Sequence, residues 1–237
     1  MHVPADGTAT VPASPREQQI WELLVFLFLI APSMGLSFLV IRQGNLSFRL
    51  AALATILRDL GLVCLVLFFL WRNGEPVRLI GLRFRRPWRD ALVGFALFVP
   101  MTLAAGALET VLKQVGLTAP SPPTPKFLIA GSPAEFVLAG LLVAVVAVAE
   151  EIIFRGYLIL RLQAITGSGA AAVILSSLIF SLGHGYEGTV GVLTVAFLGL
   201  FFALVYIWRG SLIAPIVLHF LQDFIGLVLV PLLKHQT

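Results

Sequence analysis

The stretch PAEFVLAGLLVAVVAVAEEIIFRGYLIL, residues 133–160, combines a long apolar run with two adjacent glutamates and an arginine. An α-helix rises about 1.5 Å per residue, so about 20 residues cross the ~30 Å hydrocarbon core of a bilayer. The stretch therefore predicts a membrane-spanning helix that carries charge within its hydrophobic length. An ionisable side chain in that environment costs free energy and persists only when it is paired or functional.

The whole chain has the composition of a membrane protein. Of its 237 residues, 59% are hydrophobic and 12% are charged, and the mean hydropathy is +0.99. Soluble globular proteins do not have this composition. We therefore predict an all-α fold, a polytopic transmembrane helix bundle of about seven helices. The predicted spans are residues 21–41, 50–71, 90–112, 133–160, 170–182, 189–208 and 211–233.

The ends and loops of these spans predict the domain organisation. Residues 1–19 are polar and rich in Pro, Ala, Thr and Ser, which predicts a disordered tail before one transmembrane domain, residues 20–237. The run 21–41 is of full membrane length, unlike the apolar part of a signal peptide. The loop 72–89 contains six arginines, which places it and the N terminus in the cytoplasm. We expect this loop to contact anionic membrane lipid, and we predict no nucleic-acid partner.

Helical spacing separates the ionisable residues of the late spans into groups. Residues four apart share a face, so Glu151 is expected to pair with Arg155. Glu150 is turned by about 100° from its neighbour and is free to act on another group. A carboxylate beside a second one in a poorly solvated place suits a general base. His219 and Asp223 share a face as well, so the carboxylate could orient the imidazole and fix its tautomer.

Depth in the membrane gives an independent argument that these groups meet. The turns at 161–169 and 209–210 lie on one side of the predicted bundle. Counted from those turns, Glu150 lies roughly 16 Å, His184 roughly 20 Å and His219 roughly 12 Å into the membrane. We therefore expect one shared site.

The three groups also resemble a known set of motifs. Glu150-Glu151-x-x-x-Arg155, Phe180-x-x-x-His184 and His219-x-x-x-Asp223 are similar, in order and each on a separate late span, to the signature motifs of the CAAX protease and bacteriocin-processing (CPBP, or ABI) family. The resemblance covers about residues 133–233. A single motif of this length is a weak signal, whereas three in order on separate membrane helices are a strong one.

The resemblance implies an intramembrane endopeptidase. Eukaryotic members of the family use a conical pocket to trim the last three residues from prenylated CAAX proteins. The implied substrates are membrane-associated or lipidated proteins cleaved near their C terminus. Prenylated proteins, bacteriocin precursors and C-terminal sorting tails all fit this description. The compact length suggests a prokaryotic plasma membrane as the location. By this resemblance, Glu150 and His184 activate water, and His219 with residue 223 binds the oxyanion. The implied catalytic residues are Glu150, His184, His219 and Asp223, with Glu151 and Arg155 in support.

Position 223 departs from the eukaryotic members of the family, which have asparagine there. An amide can donate a hydrogen bond to an oxyanion, but an ionised aspartate cannot. Either Asp223 is protonated or it orients His219, which then is the only donor of the pair.

Zinc is the alternative to a water-activating glutamate. A site made of His184, His219 and Glu150 has the ligand types of catalytic zinc, but it uses the candidate base as a ligand. There is no His-Glu-x-x-His helix either. We favour no metal and no other cofactor.

Other classes of function remain open at the level of sequence. Intramembrane glutamate and histidine also serve proton-coupled carriers, and a catalytically silent peptide-binding or immunity protein would differ only by tolerating the loss of Glu150. Taken singly, the pair Glu151–Arg155 reads as a buried structural ion pair and His184 as a helix cap. Two further pairs, Arg58–Asp59 and Glu109–Lys113, are expected to be local ion pairs near span ends.

Overall fold

The computed structural model describes residues 15–39, 46–119 and 125–235, and it confirms the predicted fold class. Seven helical rods, α1 to α7, follow one another along the chain. The last rod, α7, is made of three consecutive segments, Ile213–Asp223, Phe224–Leu229 and Val230–His235. The first six are α1 Arg16–Ser37, α2 Phe48–Arg72, α3 Pro87–Gln114, α4 Pro133–Thr166, α5 Gly169–Leu182 and α6 Gly188–Arg209.

Local sequence signals explain where several of these helices begin and end. Ser47, Ser132 and Ser168 precede α2, α4 and α5, and each hydroxyl accepts a hydrogen bond from a backbone N–H of the first turn, as N-cap serines do. Gly167 and Gly210 follow α4 and α6 in the left-handed conformation, with φ of 73° and 61°, which ends a helix at little steric cost.

The first helix starts earlier than predicted. Residues 16–19 are helical rather than part of the tail, because Arg16 donates to the Ile165 carbonyl oxygen at 2.8 Å and Gln18 donates to Asn73 Oδ1 at 2.5 Å. These contacts hold the polar first turn against the ends of α4 and α2. The rest of the predicted tail, residues 1–14, lies outside the described residues, as does the predicted end of the first span at residue 41.

The chain is an integral membrane protein. Six helices are long and apolar enough to cross a bilayer, and α5 is a shorter apolar helix of 14 residues. Large apolar side chains such as Phe28, Leu57 and Val137 project outward from α1, α2 and α4. Apolar surface spread over so many helices is suited to contact with lipid.

Helix α4 lies at the centre of the bundle. Every residue from Ala149 to Leu158 is buried. One core cluster joins this part of α4 to α1, α2, α5 and α6 around Tyr157, and a second joins the start of α4 to α2 and α7 around Val143. A third cluster, around Phe202, joins α3, α6 and α7. The polar residues of α4 are therefore surrounded by protein rather than by lipid.

Candidate active site

Helix α4 changes its pitch at the paired glutamates. The segment Glu151–Leu158 is a π-helix between two α-helical segments, and in α7 a second π-helix, Phe224–Leu229, begins directly after Asp223. π-Helical turns are rare and occur frequently at functional sites. Both helices that carry paired polar motifs therefore depart from α-helical geometry at the motif itself.

Glu151 is the centre of a buried polar chain. Its Oε1 accepts a hydrogen bond from Arg155 Nη1 at 2.9 Å and lies 2.9 Å from His219 Nδ1. Glu151 and Arg155 are 0% and 1% exposed. The predicted pair Glu151–Arg155 is thus confirmed, and the same carboxylate also fixes the imidazole of His219. The sequence offered that orienting role to Asp223, but on the Nδ1 side of the ring the structure places Glu151.

Aromatic rings enclose this chain. The His219 ring stacks on Phe202 with centroids 5.3 Å apart, and it meets the edge of Phe180 at 5.9 Å. The Arg155 guanidinium carbon lies 4.2 Å from the Phe180 centroid and 5.1 Å from that of Phe202. A side-chain carbon at Gly199 would lie 3.2 Å from Arg155 Nη2, so only glycine leaves that room. The two rings and the bare backbone replace water around a buried cation.

Glu150 is not hydrogen-bonded to this chain within the described residues, in line with the prediction that it is free to act on another group. Its Oε2 lies 3.8 Å from His219 Nε2, and its Oε1 lies 3.8 Å from a guanidinium nitrogen of Arg58. Both distances exceed a hydrogen bond. Glu150 Oε2 is buried and has no hydrogen-bond partner within the described part of the chain. No described protein group therefore occupies the lone pairs of this oxygen.

Asp223 lies on the same face of α7 as His219, as predicted. Its Oδ2 is 3.4 Å from His219 Nε2. The imidazole thus has Glu151 at one nitrogen and both Asp223 and Glu150 at the other. His219 Nε2 is therefore the ring nitrogen that lies next to residues of the cavity wall.

The cavity beside Glu150 has a volume of about 450 Å³ and is formed by α1, α2, α4, α5, α7 and the turn before α6. Its wall is mixed. Apolar side chains such as Ile30, Leu62 and Leu142 line much of it. Its ionisable lining residues are Arg58, Asp59, Glu150, His184, Tyr186, Glu187 and Asp223.

His184 belongs to the cavity wall, but it is not in direct contact with the other candidate residues. Its Nδ1 lies 3.3 Å from the carbonyl oxygen of Phe180, and its ring lies 5.8 Å from that of Tyr186. Because Glu150, His184 and Asp223 line one cavity and His219 lies 3.8 Å from Glu150, the predicted meeting of three spans is confirmed.

Two residues outside the predicted set also belong to the site. Arg58 and Asp59 form the expected ion pair, at 2.8 Å, but they do not lie near a span end, because α2 extends from Phe48 to Arg72. They line the same cavity as Glu150, and Arg58 lies 3.8 Å from its carboxylate. The other expected local pair, Glu109–Lys113, is exposed and is not part of the cavity wall, with 2.5 Å between its charged atoms.

The residues proposed for the zinc alternative do not form a ligand set. Among the described residues, no group of three or more His, Cys, Asp or Glu side chains is arranged to hold a metal ion. His219 Nδ1 is already bonded to Glu151, and its Nε2 lies between two carboxylates.

The fold and the site define a polytopic helical membrane protein with a buried glutamate–histidine centre. Residues 132–225 match the family model described as Type II CAAX prenyl endopeptidase Rce1-like. This confirms the predicted resemblance: the matched region, which contains every predicted site residue, is similar to the Rce1-like CAAX proteases, and this similarity supports intramembrane endopeptidase activity in general. No curated protein and no solved structure matches the chain.

Proposed function

We propose that the protein is an intramembrane endopeptidase that cleaves membrane-associated or lipidated proteins near their C terminus, with Glu150 as the base that activates water. One observation carries this proposal: a buried glutamate lines a cavity within a membrane bundle, 3.8 Å from a fixed imidazole, and one of its oxygens has no hydrogen-bond partner among the described residues. The Rce1-like match of the same region supports it.

The first step is attack by water on the peptide carbonyl. Glu150 takes a proton from a water molecule, and the hydroxide forms a bond to the carbonyl carbon while the carbonyl oxygen takes up the negative charge. His184, in the same cavity wall, is placed to hold that water. The base needs a lone pair that no other group occupies, and Glu150, which lines the cavity, has one oxygen without a hydrogen-bond partner among the described residues.

In this mechanism His219 stabilises the oxyanion. With Nδ1–H donating to Glu151, the ring donates from Nε2 only as an imidazolium. In the resting site Asp223 Oδ2 lies 3.4 Å from Nε2 and offsets the charge of the imidazolium, and the oxyanion takes its place during reaction. The C–N bond then breaks, and the leaving amine receives the proton held by Glu150. A donor already aimed at the developing charge needs no reorganisation during reaction.

The experiment compares wild type, Glu150→Gln and Glu109→Gln, each purified and reconstituted into lipid vesicles. Glu109 is a matched control, because it is an exposed glutamate paired with Lys113 outside the cavity. A farnesylated C-terminal peptide and its unlipidated form are the probes, and mass spectrometry identifies the products. We expect wild type and Glu109→Gln to cleave the peptide at similar rates. The cleavage rate of Glu150→Gln should be lower by about 10²-fold or more, which is the usual effect of removing a general base.

The natural substrate is identified by comparing protein C termini in cells that express wild type with those in cells that express Glu150→Gln. Termini that are shortened only with wild type are the products. Retention of more than about a tenth of wild-type cleavage by a folded Glu150→Gln protein would contradict the role of Glu150.

A further inference from the structure

Arg58 is a cation in the middle of a membrane-spanning helix. It lies ten residues after the first residue of α2, which extends from Phe48 to Arg72. A guanidinium at such a depth is costly and is retained where it pairs with acidic groups or lines a polar cavity. Arg58 does both, since it lines the cavity and its side chain remains 40% exposed there.

The guanidinium connects two carboxylates from two helices. Its Nε and Nη2 both lie 2.8 Å from Asp59 Oδ1. The same Nη2 lies 3.8 Å from Oε1 of Glu150. Asp59 is 1% exposed, and its other oxygen has no hydrogen-bond partner within the described residues. Asp59 therefore holds the guanidinium in place, and the guanidinium faces the base.

Arg58 is also the one arginine or lysine among the described residues that line the cavity. The cavity wall otherwise carries Asp59, Glu150, Glu187 and Asp223. Four carboxylates around one small cavity disfavour each other's charged forms, whereas a cation within about 4–6 Å favours the charged form. A base must be ionised before it can take a proton, and Arg58 is the arginine of the cavity wall that lies near Glu150, at 3.8 Å.

We propose that Arg58, held by Asp59, is a positioning residue that keeps Glu150 ionised and oriented in the cavity, so that α2 completes the active site. This inference rests on the proposed function. It assigns a role in the site to a helix that lies outside the family match at residues 132–225.

The charged and titratable groups around Glu150 come from each neighbouring element. α4 contributes Glu151 and Arg155, and α7 contributes His219 and Asp223. The groups that share the cavity from α2 and from the α5–α6 region are Arg58, Asp59, His184, Tyr186 and Glu187. Arg58 lies 3.8 Å from the Glu150 carboxylate. Arg155 and His219, by contrast, are paired with Glu151.

The test measures kcat/KM against pH for wild type, Arg58→Gln and Arg58→Lys, with the farnesylated peptide as substrate. In Arg58→Gln the carboxylate loses its cation, so we expect the acid limb of the profile to move to higher pH by about one unit or more. Below that limb, activity should fall about tenfold or more, mainly in kcat. Arg58→Lys keeps the charge and should restore most of the wild-type profile.

Arg49→Gln is the matched control. Arg49 lies on the same helix and also pairs with a glutamate of α4, Glu135, at 2.9 Å, but the pair lies outside the cavity. Its pH profile should match wild type. An acid limb that is unchanged in Arg58→Gln would overturn the inference, as would an equal shift in Arg49→Gln.

A second measurement does not depend on activity. A double-mutant cycle compares the melting temperatures of four proteins in detergent at several pH values. The four are wild type, Arg58→Gln, Glu150→Gln and the double variant. Non-additive shifts above the acid limb support the contact between the two residues, and additive shifts contradict it. If wild type cleaved no substrate, the proposed function would fail, and this cycle would still decide whether Arg58 and Glu150 are coupled.

Discussion

Asp223 is the residue at which the sequence resemblance predicts a departure from the eukaryotic family members, and its geometry leads to a prediction. Its carboxylate lies 3.4 Å from His219 Nε2, while the other ring nitrogen is held by Glu151. Because the ring is oriented without Asp223, we expect Asp223→Asn to retain cleavage within about tenfold of wild type, and the amide adds a donor for the oxyanion. Initial rates on the lipidated peptide give the comparison.

The same variant tests the metal alternative. If Asp223 were a zinc ligand, the change to asparagine would remove both activity and bound metal, since zinc binding favours the carboxylate. We expect no stoichiometric zinc in either protein by elemental analysis and no effect of a chelator on turnover. Zinc whose removal stops wild-type cleavage and whose return restores it would replace the glutamate mechanism.

At the scale of the helix, Arg155 pairs with Glu151 within α4 and also packs against α5 and α6. Its guanidinium lies between Phe180 and Phe202 and is 1% exposed. Arg155→Ala should therefore destabilise the fold by about 3–5 kcal/mol, because it removes the arginine from the buried Glu151 carboxylate and leaves His219 as its partner. Thermal unfolding in detergent measures the loss.

A solvated arginine provides the comparison for that measurement. Arg49 has a side chain that is 65% exposed and pairs with Glu135, and exposed pairs contribute about 0–1 kcal/mol. Arg49→Ala should melt close to wild type. Equal melting temperatures for Arg155→Ala and wild type would show that the buried pair does not support the bundle.

The sequence was sufficient to predict the meeting of three spans, because helical rise is uniform and depth can be counted from the turns. It was not sufficient to predict the π-helical segment Glu151–Leu158, since an extra residue per turn leaves no periodic signal in a helix that is buried on all sides. The contact of Arg58 with Glu150 was missed for a related reason. Arg58 and Asp59 are adjacent in the sequence and form an ion pair with each other, so the sequence gives no reason to look for another partner. Only the packing of α2 on α4 brings this pair to the cavity.

At the scale of the whole molecule, all four tryptophans indicate how the bundle lies in the membrane. Trp21, Trp71, Trp88 and Trp208 are 59–77% exposed. They lie at the start of α1, the end of α2, the start of α3 and the end of α6, which are on one side of an alternating bundle. The ion pair of Arg209 with Asp90, at 2.7 Å, joins two of these ends. Exposed tryptophans mark the membrane–water interface, and arginine-rich loops mark the cytoplasmic side.

We therefore propose that this tryptophan side faces the cytoplasm, and we expect a labelling experiment to show it. Phe84 and Val115 are exposed apolar residues at opposite ends of the bundle. In a Cys64→Ser background, a membrane-impermeant maleimide added to intact bacteria should label Val115→Cys. It should reach Phe84→Cys only after the membrane is permeabilised. The reverse pattern would invert the orientation.

The short helix α5 has a consequence for the lipid around the protein. Its 14 residues extend about 21 Å, which is about 9 Å less than the hydrocarbon thickness of an average bilayer. His184 follows its last turn directly, so the bilayer must thin locally, or water must descend along the protein, to meet this end of the helix. Hydrophobic mismatch would then set the supply of water to the cavity. We expect turnover to fall as acyl chains lengthen in vesicles of defined phosphatidylcholines, and a rate independent of chain length would show that the protein alone forms the water path.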